Sequence, residues 1–393
     1  MSLSPISLSP DLRALLDDGY EIEIKSGHLV IHNVPYVNAD KQVKHGKLFS
    51  VLDLAGDKTT RPSTHIALFA GAFPCSKDGQ PLRQLEHQST RQSIADGLVI
   101  DHSFSNKPKD GYEDYYVKMT TYIAIISGPA EAIDPNATAR TYAVIASDDP
   151  EAVFHYVDNA SGRAGISAVS RKLGLRKLAI VGCGGTGAYI LDLVAKTPAG
   201  EVHLFDRDDF LQHNAFRTPG AATIDELKER RKKVNHLADI YSRMHRGIVP
   251  HPYDIDTSNI HELRDMAFVF VCVDKGAVKR PIIEGLEQMG IPFIDVGMGL
   301  ELFDEQLRGI LRVTLSTAKH RDHVHSMGRI SFASGDVDNA YSKNIQVADL
   351  NALNAALAVI KFKKYFGFYS DLENEHFCTY TLDGNVIDNE DKE

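Results

Sequence analysis

The segment that decides the fold is LAIVGCGGTGAYILDLVAK, residues 178–196. An apolar run ends in a glycine-rich turn and an amphipathic stretch follows, which predicts a buried strand, a tight loop and a helix. The loop has the form G-x-G-G-x-G, with glycines at Gly182, Gly184, Gly185 and Gly187. Glycines so placed let backbone N–H groups approach phosphate at the start of a helix. The segment therefore predicts a nucleotide site in an α/β sheet.

The sequence around this loop alternates strand patterns with helix patterns. That alternation predicts a Rossmann-like, doubly wound parallel sheet. Residues 225–244 read as one long helix, and residues 295–302 are expected to follow the last strand of the sheet. Beyond them we expect a C-terminal helical extension and a frayed acidic tail.

The first 150 residues show a different order of predicted elements, because turn clusters and not helices separate the strand patterns there. Residues 19–37 predict a strand pair, and MTTYIAIIS at 119–127 predicts a further strand. We therefore place an α+β domain at 1–150 and the doubly wound domain at 151–393. Tyrosines at 112–122 favour either a protein-recognition surface or a half-buried sheet face. A recognition domain is the working assignment for this half.

The composition of the chain argues against two classes of partner, nucleic acids and membranes. The chain has 393 residues and a formal net charge of −10, which argues against nonspecific binding to nucleic acid or to an anionic membrane. No apolar run approaches the roughly 20 residues that cross a bilayer. Four scattered cysteines form no disulfide framework, so we expect a cytoplasmic protein.

The glycine loop alone does not separate a dehydrogenase from an enzyme of phosphorus chemistry. Asp206 ends the next strand, 19 residues beyond Gly187, where a carboxylate holds ribose in either class. Acids, an amide and an arginine follow in FDRDDFLQHNAFR at 205–217, and then come Lys233 and Asp274. The carboxyl ends of parallel strands share one edge, so we expect these groups to converge. Cations and a Mg²⁺-binding carboxylate around phosphate suit phosphorus chemistry better than hydride transfer.

This ordered series resembles the ubiquitin-activating-enzyme-like adenylating family, of the ThiF/MoeB/HesA type, over about residues 176–315. The landmarks are the glycine loop, the D-x-D at Asp206 and Asp208, the N-x-x-R at Asn214 and Arg217, the lysine of KKV at Lys233, and Asp274.

The resemblance implies ATP-dependent adenylation of the C-terminal carboxylate of a ubiquitin-like protein that ends in glycine. In that scheme the amides of Gly184, Gly185 and Gly187 contact phosphate, and Asp206 holds the ribose. Asn214, Arg217 and Lys233 orient the triphosphate, and Asp274 binds Mg²⁺. A bacterial conjugation-like pathway is the expected setting.

The resemblance also implies a homodimer in which an N-terminal arginine reaches the partner's site. Arg163 is the nearest counterpart in this chain, and the alternative is an ordinary surface arginine. A conjugating-enzyme-like acceptor is a further partner that the resemblance suggests.

The chain departs from the family pattern in its cysteines and histidines. No cysteine lies between Cys272 and Cys378, so Cys378 is the single late candidate for a thioester, and the alternative is transfer of the adenylate to a partner's nucleophile. Cys75 is expected on an exposed turn. His320, His323 and His325 indicate either a solvated loop or a metal site. Asn351 and Asn354 share a helical face and predict hydrogen bonds between helices.

Two other functions stay open on the sequence alone. One is an NAD-dependent oxidoreductase, which has the same loop but no use for Arg217, Lys233 and Asp274. The other is a scaffold that binds ATP without turning it over.

Overall fold

The computed structural model describes residues 4–95, 97–144, 147, 151–158, 160–161, 164–332 and 345–392. The chain divides into two compact units. The first comprises Met1–Asp149 with Tyr156–Ser167, and the second comprises Pro150–His155 with Ala168–Glu393. None of the helices in the described ranges has the length and apolar character that a bilayer crossing requires.

The first unit is an antiparallel sheet covered by one long helix. Its helices are α1 (Ser4–Leu8), α2 (Pro10–Asp17) and α3 (Tyr115–Glu131). Its strands are β1 (Ile22–Lys25), β2 (His28–Val37), β3 (Val43–Val51), β4 (Leu54–Ala55), β5 (Lys58–Thr59), β6 (Ile66–Ala70), β7 (Glu86–Gln88), β8 (Gln92–Ala95), β9 (Leu98–Ile100) and β10 (His102–Ser105). The main sheet runs in the order β1-β2-β3-β6-β10-β7, and α3 packs against β2 and β3. The predicted strand pair at 19–37 is confirmed as the β1–β2 hairpin.

The strand predicted at 119–127 is wrong, because these residues form the centre of helix α3. The Asp114 side chain caps this helix by accepting a hydrogen bond from the backbone N–H of Val117 at 2.8 Å. The buried side chains recur every three to four residues, as on one face of a helix; they include Tyr115, Met119, Tyr122 and Ile126. The strand prediction followed the β-branched and aromatic composition and overlooked this period. Buried Tyr112, Tyr115 and Tyr122 form neither a sheet face nor an exposed recognition surface.

The second unit is built on one large mixed sheet. Its helices are α4 (Ser167–Ser170, at the border of the units), α5 (Gly185–Val194), α6 (Gln212–Ala215), α7 (Ile224–Glu229), α8 (Lys233–Tyr241), α9 (Gly276–Met289), α10 (Asp322–Ser326) and α11 (Ala348–Tyr365). Its strands are β11 (Lys177–Val181), β12 (Glu201–Phe205), β13 (Ile248–His251), β14 (Phe268–Val271), β15 (Phe293–Phe303), β16 (Gln306–Ser316), β17 (Glu375–Thr381) and β18 (Val386–Lys392).

The sheet order over the described residues is β13-β12-β11-β14-β15-β16-β17-β18. The first five strands are parallel, and β16 to β18 are antiparallel additions. The apolar runs of β11 and β14 are buried on both faces, as a sheet covered by helices on both sides requires. The chain order reverses between β11 and β14, which opens a crevice at their carboxyl ends. The predicted doubly wound α/β fold is confirmed.

Two predictions about the end of this sheet are wrong. Residues 295–302 do not follow the last strand; they lie within β15, which pairs with β16 from Phe293 to Phe303. The acidic tail does not fray either, because it forms β18 beside β17. Arg329 holds this strand by donating from Nε to Oδ2 of Asp391 at 2.8 Å. The extension after α11 is therefore a hairpin, and the tail's charge is matched by a cation far away in sequence.

Candidate active site

The glycine loop connects β11 to α5 and is shaped by close packing. Gly182 has a left-handed φ of 91°, and a Cβ there would lie 2.6 Å from the carbonyl oxygen of Cys272. A Cβ on Gly187 would lie 2.0 Å from the carbonyl oxygen of Gly182. A Cβ on Gly184, the N-cap of α5, would meet nothing within 4 Å. Packing thus explains two of the glycines, and Gly184 leaves open space at the positive end of the helix.

Asp206, directly after β12, holds this loop in place. Its Oδ2 accepts the backbone N–H of Cys183 at 2.8 Å, and its Oδ1 accepts the backbone N–H of Asp208 at 2.9 Å. The residue is only 7% exposed. Asp206, the first acid of the D-x-D, therefore stabilises the glycine loop by hydrogen bonds. Its position in the sequence did not predict this role.

Lys233 stands at the start of helix α8 and not inside a long helix. The predicted helix over 225–244 is wrong, because Arg230 takes a left-handed φ of 48° and separates α7 from α8. The backbone N–H of Lys233 donates to the carbonyl oxygen of Asp208, and its Nζ lies 2.7 Å from Oδ2 of Asp208. The hydrogen bond from Lys233 is the main cause that lowers the pKa of Asp208. The break in the helix places the ammonium at the carboxyl end of β12.

Asn214 and Arg217 lie on and just after the short helix α6. Asn214 is buried, and its Oδ1 accepts the backbone N–H of Leu211 at 2.9 Å. Its Nδ2, like Nε of Arg217, is buried with no hydrogen-bond partner among the described residues. Buried donors left unpaired are costly, so Arg217, which lines the cleft described below, fits a polar ligand that accepts hydrogen bonds.

Asp274 lies three residues beyond the end of β14. Its Oδ2 accepts a hydrogen bond from Nε2 of Gln346 at 3.2 Å. The parallel pairing of β14 with β11 brings this carboxylate to the same edge of the sheet as the glycine loop.

A cleft of about 1160 Å³ lies at this edge. Seven of the predicted site residues line it: Gly182, Gly184, Asp206, Asp208, Arg217, Lys233 and Asp274. Gly185, Gly187 and Asn214 are not on its wall. Arg163 lies outside the described residues.

Further charged residues at the cleft were not expected from the sequence. Among them, Lys279 on α9 and Arg312 on β16 line it, and both lie beside the buried Asp295 on β15. No local pattern joins them, since they come from separate elements that only the sheet register brings together.

The cysteines offer no exposed thiol in the described structure. Cys378 lies in β17, 5% exposed, and burial raises the pKa of its thiol. Cys75, predicted on an exposed turn, is 2% exposed, so that prediction is wrong. Cys183 is buried, and Cys272 lies on the wall of the cleft, where burial raises the pKa of its thiol.

The predicted histidine cluster is split. The rings of His320 and His323 lie 4.7 Å apart, and the ring of His376 joins them, whereas His325 contacts Glu287. Within the described residues, no group of three or more His, Cys, Asp or Glu side chains is arranged to hold a metal ion.

Of the two helix asparagines, one makes the predicted contact between helices. Oδ1 of Asn351 accepts a hydrogen bond from the Thr186 hydroxyl on α5 at 2.9 Å. Asn354 instead donates to the carbonyl oxygen of Gly297 on β15 at 3.0 Å. The prediction is confirmed for Asn351 and is wrong for Asn354.

A doubly wound sheet with a glycine loop, several cations and several carboxylates around one cleft defines an α/β protein of the nucleotide-binding class. Residues 138–309 match the model of the ThiF family, which confirms the predicted family resemblance. Residues 10–159 match the model of a domain of unknown function, DUF6791. No curated protein matches the chain.

Several solved structures are similar to this chain at low identity. E. coli MccB with succinimide is 18% identical, over 58% of this chain and 67% of that chain, with a TM-score of 0.46. E. coli MccB with AMPCPP and MccA is 17% identical, over 71% and 83%, with a TM-score of 0.47. PaaA is 18% identical, over 57% and 75%, with a TM-score of 0.44.

Proposed function

We propose that this protein uses ATP to adenylate the C-terminal carboxylate of a ubiquitin-like protein, forming an acyl-adenylate and pyrophosphate. The observation that carries the proposal is a single cleft that joins the glycine loop to Lys233 and to Arg217, whose buried Nε has no partner among the described residues. Unpaired and cationic donors beside a phosphate-binding loop are what a triphosphate requires. The match of residues 138–309 to the ThiF family supports the same activity.

The nucleotide would lie against the start of helix α5. Backbone N–H groups at the start of a helix can donate to phosphate, and the open space at Gly184 would give phosphate room to approach. Asp206 and Asp208, at the end of β12, would hold the ribose hydroxyls. Asp208 is the more accessible of the two, because its side chain is 62% exposed.

The reaction would be a displacement at the α-phosphorus of ATP. An oxygen of the substrate carboxylate attacks this atom, a new C–O–P linkage forms, and the bond to the β-phosphate breaks to release pyrophosphate. Arg217 and Lys233 would stabilise the charge on the phosphates as it shifts toward the leaving group.

Asp274 would hold Mg²⁺ in this cleft. The ion prefers oxygen ligands and is held at phosphate sites by one or two carboxylates, together with phosphate and water. One carboxylate beside the glycine loop fits that preference. Mg²⁺ would neutralise phosphate charge when bound.

The two rival functions account for less of the cleft. An NAD-dependent oxidoreductase gives no task to Arg217, Lys233 and Asp274. A scaffold that only binds ATP predicts that loss of Asp274 leaves its function intact. Adenylation uses all three residues.

The step after adenylation would use a nucleophile of another protein. Cys378 is packed in β17, and burial disfavours its thiolate, so it is poorly suited to a thioester. A conjugating-enzyme-like acceptor would take the acyl group. A homodimer completed by Arg163, and a recognition role for residues 1–150, remain parts of this proposal.

ATP–pyrophosphate exchange tests the proposal. The assay contains Mg²⁺ and the ubiquitin-like protein encoded nearest the gene, intact or without its C-terminal glycine. We expect exchange only with the intact protein, and a loss of about 100-fold or more in Asp274→Ala. Asp383→Ala, in the exposed turn after β17, is the matched control and should keep the wild-type rate. Absence of exchange with any glycine-tailed donor, together with micromolar binding of NAD, would contradict the proposal.

A further inference from the structure

One wall of the cleft carries two cations, Lys279 and Arg312, and both lie beside the buried carboxylate of Asp295; we call these three residues the Arg312 wall. Asp295 is fully buried. Its Oδ1 lies 2.6 Å from Nζ of Lys279, and its Oδ2 lies 3.6 Å from Nη2 of Arg312. The proposed contacts to ATP use none of these residues.

The charges of the Arg312 wall do not cancel. Two cations face one carboxylate, and burial raises the pKa of Asp295 in opposition to both cations. Whether Asp295 is ionised or neutral, the wall keeps net positive charge. Lys279 makes the short ion pair, so Arg312 holds the charge that is free to meet an anion.

The hydrogen-bonding groups of Arg312 are also incompletely used. Nε is buried and has no hydrogen-bond partner in the described part of the chain. The 3.6 Å contact of Nη2 with Asp295 is longer than a hydrogen bond. A guanidinium presents donors in a planar fork that matches a carboxylate.

The neighbouring strand is shaped to fit this guanidinium. Gly297 on β15 lies directly opposite Arg312 on β16. A Cβ on Gly297 would lie 2.6 Å from Nη2 of Arg312, so the guanidinium lies flat against a strand that has no side chain there. The backbone thereby sets the position of the fork in the cleft.

We propose that Arg312 binds the terminal carboxylate of the acyl substrate and positions it for attack on ATP. This inference rests on the function proposed above and adds the subsite that selects a free C-terminus. Adenylation removes the negative charge of the carboxylate, so the contact weakens once the reaction is complete.

The test compares Michaelis constants in ATP–pyrophosphate exchange with the ubiquitin-like protein. Arg312→Gln should raise the KM for that protein about 10- to 100-fold, the loss expected for charge-assisted hydrogen bonds, and should leave the KM for ATP within about 2-fold. Arg312→Lys should fall in between, because it keeps the charge but loses the fork. Arg308→Gln is the matched control, since Arg308 lies on the same strand, outside the cleft, and pairs with Glu301. An unchanged KM for the ubiquitin-like protein in Arg312→Gln, or an equal rise in both constants, would overturn the inference.

A second variant protects the test against misfolding of Arg312→Gln. Gly297→Ala keeps the charge but displaces the guanidinium, and it should raise the same KM by about 10-fold. If Gly297→Ala folds and leaves that KM unchanged, the position of Arg312 is irrelevant and the inference is wrong.

Direct binding separates failure of this subsite from failure of the proposed function. Glycylglycine, with glycylglycinamide as the uncharged control, is titrated while the ¹⁵N signal of Arg312 Nε is followed by NMR. A shift with the acid and not with the amide supports the subsite even if exchange is absent, in which case only the proposed function fails. No shift with either compound contradicts the subsite even if exchange occurs.

Discussion

The ammonium of Lys233 lies 2.7 Å from Oδ2 of Asp208 and 3.5 Å from Oδ1 of Asp206. One cation thus joins both acids of the D-x-D, and Asp206 in turn holds the amide of Cys183 in the glycine loop. Lys233 is therefore linked through Asp206 to the glycine loop, and both the lysine and the loop would bind phosphate. Its side chain is 9% exposed, so little water screens these contacts.

Lys233→Met should reduce the rate of ATP–pyrophosphate exchange about 100- to 1000-fold, because it removes a preorganised cation from the transition state. Lys232→Met is the matched control. Its ammonium is exposed and pairs with Asp209 at 2.8 Å, so its loss should change the rate less than about 3-fold. Equal losses in the two variants would show that general surface charge, and not the Lys233 contact, sets the rate.

Two adjacent glycines of the loop should respond differently to the same substitution. A Cβ on Gly185 would lie 2.1 Å from Nδ2 of the buried Asn351, so Gly185→Ala should lower the free energy of unfolding by about 1–3 kcal/mol. Gly184→Ala meets open space and should cost less than about 1 kcal/mol. Urea unfolding measures both values.

A double variant tests the cause of the Gly185 effect. Adding Asn351→Ala to Gly185→Ala should recover part of the lost stability, because it removes the atoms that the new methyl group meets. Strict additivity of the two substitutions would mean that the clash with Asn351 is not the cause.

His323 should make the stability of the protein depend on pH in the acid range. Its two ring nitrogens are buried and lack hydrogen-bond partners among the described residues. Burial first, and then the charge of His320, lower the pKa of His323 to about 4. His323 therefore binds a proton near pH 6.5 in the unfolded chain but only near pH 4 in the folded chain. The free energy of unfolding falls as pH drops from 6.5 toward 4.

Removing this imidazole should flatten that dependence. Between pH 7 and pH 4.5, His323→Leu should lose about 2 kcal/mol less stability than the wild type does. Calorimetric unfolding of both proteins at several pH values measures the difference. Identical pH slopes would mean that the pKa of His323 is not lowered in the folded protein.

The nucleotide half of the fold was predictable because its signals are local and strong. The run at 178–181, the glycine loop and the strand ending at Asp206 each carry their own pattern, and parallel topology then places Asp274 beside them. The helix α3 was missed because its β-branched composition favoured a strand, whereas its burial follows the helical period. For α3, the period of the buried residues indicates the secondary structure correctly, and the composition does not.

The rest depends on contacts between residues distant in sequence. Arg329 neutralises Asp391 in a tail that looks frayed when it is considered alone. Arg312 and Asp295 approach each other through the register of β15 and β16, in a hairpin longer than the pattern suggested. The spacing of residues along the chain does not predict these ion pairs, because the partners come together only when the sheet forms.

The most direct test of the central claim follows an oxygen atom. The ubiquitin-like protein is prepared with ¹⁸O in its C-terminal carboxylate and is incubated with this protein, ATP and Mg²⁺. Hydroxylamine is added to cleave the acyl-adenylate and release AMP. Attack of the carboxylate on the α-phosphorus predicts that the released AMP carries one ¹⁸O, with pyrophosphate as the other product. Unlabelled AMP, or ADP with labelled phosphate, would show that no acyl-adenylate forms and would contradict the account.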